Sequence, residues 1–129
     1  MNKNICYQDT LYHDLTQILI GFAFDIFKQI GSRYPETVYQ NAYENKLIEN
    51  NIKFKRENYC KIEVDGKRVG SFKLDFIIEN KIIVELKVRN HFFNKDYAQV
   101  LTYMRLNKIN LGLILLYSTE KVKVKRLIL

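Results

Sequence analysis

The apolar positions along the chain fall into two helical stretches, three extended ones, a further helix and two closing strands. Leu15, Ile18, Leu19, Phe22, Ile26 and Ile30 recur at helical spacing and predict a helix over about 10–30, with Gly31 as its stop. A second helix is expected to begin near Pro35, a residue suited to a first turn. It carries Glu36, Val38, Tyr39, Tyr43 and Leu47 and ends near Asn50-Asn51. Strands follow over about Phe54–Val64, Lys67–Ile78 and 81–88, the first two joined by a turn at Asp65-Gly66. Tyr97, Val100, Leu101 and Met104 mark a third helix over about 96–106, with Asn94 or Asp96 as its cap. Leu111–Tyr117 is almost wholly apolar, as a strand covered on both faces should be. After a turn at Ser118-Thr119, a final alternating strand runs over 122–127.

The strand after the third helix is expected to enter the sheet parallel to its neighbour, through a crossover. The order α-α-β-β-β-α-β-β therefore predicts an α/β (α+β) fold, a mixed central sheet flanked by helices. At 129 residues, 1–129 reads as a single domain with enough apolar side chains for a real core.

Three charges interrupt strands that should be largely buried. Asp75 lies within Ser71-Phe72-Lys73-Leu74-Asp75-Phe76-Ile77-Ile78, and Glu85 and Lys87 lie within Lys81-Ile82-Ile83-Val84-Glu85-Leu86-Lys87-Val88. Buried charges are costly unless compensated, and two carboxylates held together repel until one takes a proton. A divalent cation bound to both removes that cost. Alternation places Ile83, Glu85 and Lys87 on one face of their strand, and Asp75 and Ile77 on one face of the other. A two-residue turn at Glu79-Asn80 would pair Asp75 with Val84 and separate the carboxylates. A three-residue loop, Glu79-Asn80-Lys81, pairs Asp75 with Glu85, and Asn80 tolerates the positive φ such loops need. The odd-length loop is the prediction.

Composition narrows the function classes. The net charge of +7, from 21 Lys+Arg against 14 Asp+Glu, favours a polyanionic partner such as nucleic acid. Cys6 and Cys60 form neither a CxxC pair nor a disulfide framework, which points to reduced thiols in a cytoplasmic protein. The apolar stretch over 18–24 is far shorter than the roughly 20 residues of a membrane span, and the start of the chain shows no signal-peptide pattern. Lys121, Lys123, Lys125 and Arg126 give the last strand a basic edge, which also guards against edge-to-edge pairing.

Gly31, Glu36, Tyr39 and Gln40, followed by Asp75, Glu85-Leu86-Lys87, Gln99 and Tyr103, resemble the pattern of the GxxExxY proteins. These are a family within the PD-(D/E)XK nuclease superfamily, and the resemblance covers nearly the whole chain. It implies a restriction-endonuclease-like core and a metal-dependent nuclease that hydrolyses phosphodiester bonds, with DNA as the favoured polymer and a 5′ phosphate left on the product. Asp75, Glu85 and the backbone carbonyl of Leu86 would hold Mg²⁺, an ion the all-oxygen donor set suits, as it does Mn²⁺. Lys87 would position water or stabilise charge on the phosphate. Glu36 would reach the metal directly or through water, and Gln99 would orient water, phosphate or Lys87.

Plainer accounts stand beside these. Glu36 suits a helix first turn for electrostatic reasons alone, and Gln99 reads equally as a surface glutamine. Tyr39 and Tyr103 read as aromatic walls of the site, with Arg89 a candidate phosphate contact where the chain leaves the sheet. His91 and His13 read as bystanders. The competing functions are a catalytically silent nucleic-acid-binding module of the same fold and a protein-interaction subunit. A homodimer or protein partner would supply selectivity that so short a chain has little room to carry.

Overall fold

The computed structural model describes residues 12–129. Cys6, and the start of the first predicted helix near Thr10, lie outside the described residues. Helix α1 spans His13–Ile30 and α2 spans Glu36–Glu49. Strands β1 (Phe54–Val64), β2 (Lys67–Ile78) and β3 (Ile82–Val88) follow. Helix α3 (Asn94–Asn107) leads to β4 (Leu111–Tyr117) and β5 (Val122–Ile128). Among the described residues one sheet runs in the order β1-β2-β3-β4-β5; only its β3–β4 pair is parallel, and α3 makes the crossover between them. The predicted α+β architecture and its element order hold.

The local reasons are those the side chains supply. Gly31 ends α1 at φ 75°, and Asp65 and Gly66 both take positive φ in the β1–β2 turn. Pro35 sits one position before α2 as its N-cap rather than inside the first turn. Helix α3 begins two residues before its predicted start, because the carboxylate of Asp96 reaches back to accept from the Phe93 N–H at 2.8 Å. Asp96 also holds Arg89 at 3.0 Å and is itself buried.

The two faces of the sheet carry separate cores. Phe76, Ile78, Ile82, Val84, Leu86 and the odd-numbered residues from Leu111 to Tyr117 pack under α1 and α2. Ile77, Ile83 and Ile114 pack under α3 with Val100, Tyr103 and Met104. The contact between α3 and β4 is close enough that a Cβ on Gly112 would meet Val100 Cγ1 at 2.8 Å and Met104 Sδ at 2.9 Å. The Tyr43 hydroxyl donates to the Leu19 carbonyl at 2.9 Å, tying α2 to α1, and Lys46 pairs with Asp25 across the same helices. Arg56 on β1 meets Glu44 on α2 at 2.6 Å. β5 and β1 are the sheet edges. Among the described residues no helix is long and apolar enough to cross a membrane.

Candidate active site

The loop between β2 and β3 has the predicted length. Pairing runs Phe76↔Val84, Ile77↔Ile83 and Ile78↔Ile82, leaving Glu79, Asn80 and Lys81 between, with Glu79 and Asn80 at positive φ. That register carries Asp75 toward Glu85. Beyond Phe76 and Val84, however, the ladder stops and side chains take over from backbone. The Asp75 N–H donates to Glu85 Oε1 at 2.8 Å, and the Leu86 N–H donates to Asp75 Oδ2 at 2.8 Å.

The other side of β2 is broken at the same place. β1 pairs Arg56↔Phe76 and Asn58↔Leu74, but Glu57, at φ 58°, forms no ladder pair with Asp75. This corrects the simple alternation expected of β2. Leu74 joins Ile77 in the core under α3, while Asp75 is reached by Gln40 from α2. The register with β1 is the same on either side of Asp75, so the strand does not slip; the side-chain facing inverts between Leu74 and Phe76, and Asp75 sits where both ladders are interrupted.

Helix α2 brings the next groups. Glu36 and Gln40 lie one turn apart on its inward side. Gln40 Nε2 donates to Asp75 Oδ1 at 3.0 Å and to Glu36 Oε1 at 3.3 Å, bridging the two acids. The first turn is anchored by Tyr39, whose ring stacks on Tyr117 at 4.1 Å and whose hydroxyl donates to the Gly31 carbonyl at 2.6 Å. Sequence reasoning placed Gln40 in the family pattern but gave it no role. Its spacing from Glu36, on a face otherwise made of Tyr39, Tyr43 and Leu47, was the available signal.

From the opposite side, α3 supplies Tyr103 and Gln99. The Tyr103 hydroxyl donates to the Lys73 carbonyl at 2.6 Å, fastening α3 to β2 two residues before Asp75. Tyr39 and Tyr103 are both fully buried and each gives its hydroxyl to a backbone carbonyl, so neither faces the open cleft. Lys87 Nζ lies 3.8 Å from Glu85 Oε2, longer than a hydrogen bond. Lys87, Arg89 and Gln99 line one cleft of about 390 Å³ together with Phe72, Lys95 and Thr102. Arg89 also lies over the Phe93 ring, 4.2 Å from its centroid. His91 lies at a different part of the surface, beside Asn90 and Ser118.

The electrostatics show strain that a cation would relieve. Burial, then the charge of Asp75, pushes the Glu85 carboxyl up to about 8. Burial also raises Asp75, against the opposing pull of the Leu86 N–H and Lys87. Glu36 is raised by burial and then by Asp75. Burial, followed by the charge of Glu85, raises the Tyr103 hydroxyl. Among the described residues no group of three His, Cys, Asp or Glu side chains is arranged to hold a metal ion. Two carboxylates with backbone and water oxygens are nevertheless a donor set that Mg²⁺ accepts, since that ion keeps several of its waters.

The family model of the PD-(D/E)XK nuclease superfamily matches residues 13–127. No curated protein matches the chain. Among solved structures, the crystal structure of SSO0001 superposes with a TM-score of 0.57 at 20% identity, over 72% of this chain and 50% of that one. This chain therefore spans about half the length of that protein, and the likeness is one of fold.

Proposed function

Because the chain belongs to the PD-(D/E)XK nuclease superfamily, we propose that Asp75, Glu85 and Lys87 form the catalytic centre of a divalent-metal-dependent nuclease. DNA is the favoured substrate. The observation that carries this reading is the interlocked pair of buried carboxylates at the break in the sheet, with a lysine beside them. Placed there as structure alone, these charges are a liability, since buried ion pairs add little over apolar packing. As ligands they are in place before the ion arrives.

Asp75 and Glu85 would hold Mg²⁺ or Mn²⁺. The Leu86 carbonyl is the natural third donor. In a regular strand the N–H and C=O of one residue face the same neighbour, and the Leu86 N–H already faces Asp75. A divalent cation at this place supplies Lewis acidity toward a phosphoryl oxygen and toward the attacking water.

The remaining roles belong to the chain's own groups. Lys87 offsets charge that develops on the phosphate. Gln40 holds Asp75 in the orientation that presents its oxygens, and couples it to Glu36, which acts through water. Gln99 orients the water or phosphate from α3. Arg89 binds a phosphate at the rim, and Tyr39 and Tyr103 brace α2 and α3 from inside the core.

The experiment is cleavage of labelled DNA and RNA with Mg²⁺ or Mn²⁺, comparing wild type with Asp75→Ala and Lys87→Ala. Metal-dependent cleavage lost in both variants is the expected result. Absence of cleavage from folded wild type in both metals would instead favour the silent binding module.

A further inference from the structure

The acidic pair is recessed. Asp75 is 6% exposed and Glu85 3%, so a phosphate must descend into the molecule to reach them. On the α3 side a cleft lies between α3 and Phe72 of β2, and it is joined to the pair through Lys87, whose Nζ is 3.8 Å from Glu85 Oε2. Its volume, about 390 Å³, is of the size of one nucleotide. A stiff duplex holds its phosphates on the outside of a base-paired cylinder and resists sharp local bending, whereas a single strand bends freely and splays its bases.

The lining matches what an unpaired nucleotide offers. Lys87 and Lys95 supply cations, and the one acid of the lining, Asp96, is offset by Arg89 and held by the Phe93 N–H. Phe72 is half-buried and held edge-on by Tyr103 at 5.7 Å, which gives a base a fixed aromatic wall. Gln99 offers both an amide donor and an acceptor. At the mouth, the exposed Phe93 ring carries Arg89 at 4.2 Å and Lys95 at 5.5 Å, an aromatic and cationic lip of the kind that seats successive bases and phosphates of a strand.

From this we infer that the cleft between Phe72 and α3 takes one unpaired nucleotide beside the scissile phosphate, so that the protein acts on single-stranded nucleic acid or on unpaired ends. The inference rests on the nuclease reading for the identity of the phosphate attacked. Phe72 and Lys95 are its binding residues, and neither is needed for the metal site.

The test uses one fluorescent DNA oligonucleotide, single-stranded or annealed as a blunt duplex. Binding is read by anisotropy with Ca²⁺, and cleavage with Mg²⁺ or Mn²⁺. Wild type is expected to bind the single strand at least about tenfold more tightly than the duplex and to cut it first. Phe72→Ala should lose about tenfold in single-strand affinity. Lys95→Ala, a change at an exposed side chain that spares the core, should lower the slope of log affinity against log salt by about 0.7. Blunt duplex bound as tightly as single strand, or Lys95→Ala with an unchanged salt slope, would overturn the inference. Hydrolysis of bis(p-nitrophenyl) phosphate by wild type separates the two readings. Hydrolysis without strand preference removes this inference and leaves the nuclease. Strand preference with no hydrolysis of any diester leaves the binding cleft and removes the nuclease.

Discussion

Asp75 and Glu85 are locked to each other through backbone as well as by proximity. The N–H of Asp75 donates to Glu85 Oε1, and the Asp75 carboxylate accepts from Leu86, the residue after Glu85. Each strand thus holds the other's carboxylate, and the pair stays together despite its like charge.

This arrangement separates stability from activity. Glu85→Gln keeps an oxygen to accept from the Asp75 N–H and removes one buried charge. At pH 8 and without metal the variant should be more stable than wild type by about 1–2 kcal/mol. Its metal-dependent cleavage should fall at least about 10²-fold. Paired thermal melts and cleavage rates check both; a variant that is less stable and equally active would contradict the assignment.

The raised carboxyl sets a pH dependence. Glu85 titrates at about 8 in the folded protein against an ordinary 4.5, so between those values the folded state keeps a proton that the unfolded chain has released. Stability of the metal-free protein should therefore fall as pH rises through that interval and level off above it. The upward shift of Asp75 acts in the same direction. Divalent-ion binding must expel the proton, so affinity should rise with pH up to about 8. Calorimetry of Mn²⁺ binding in two buffers of different ionisation enthalpy should find proton release at pH 6 and almost none at pH 9.

Gln40 bridges two acids and is itself buried. Gln40→Glu would place a third carboxylate between Glu36 and Asp75. The metal-free variant should lose about 1–3 kcal/mol, from repulsion and from the loss of two donated hydrogen bonds. Added Mn²⁺ should raise its melting temperature by more than it raises that of wild type. Equal shifts in the two proteins would place Gln40 outside the site's electrostatics.

Gly112→Ala would drive a methyl into Val100 and Met104. A loss of about 1–3 kcal/mol is expected, partly recovered in Gly112→Ala/Val100→Ala, so that the double variant is less destabilised than the two single losses combined. Urea melts of the three variants measure the recovery.

Much of this was legible in the chain. The apolar run of β4, the stop at Gly31 and the turn at Asp65-Gly66 follow from periodicity and from the φ preferences of single residues. The loop length follows from the need of two carboxylates to share one place. What the sequence hid is non-local. The reversal of facing in β2 coincides with positive φ at Glu57, eighteen residues upstream and opposite an Asp75 that makes no ladder pair. The bridging role of Gln40 depends on the stack of Tyr39 on Tyr117, a contact between the second helix and the fourth strand. Helix α3 starts earlier than expected because Asp96, one of the expected capping residues, bonds backward to the Phe93 N–H from inside the first turn.

The three-residue loop between β2 and β3 also bears on how the molecule assembles. Asp75 and Glu85 are ten positions apart, and closing so short a span costs little chain entropy. The carboxylates can meet in an early, water-filled hairpin, where their repulsion is weak. Dehydration follows only when α2 and α3 close over the sheet, and the parallel β3–β4 pairing waits on the crossover through α3, the slower kind of contact to form. The unfavourable charge burial therefore falls on the late side of the folding barrier. A divalent ion present during refolding should slow unfolding more than it speeds folding.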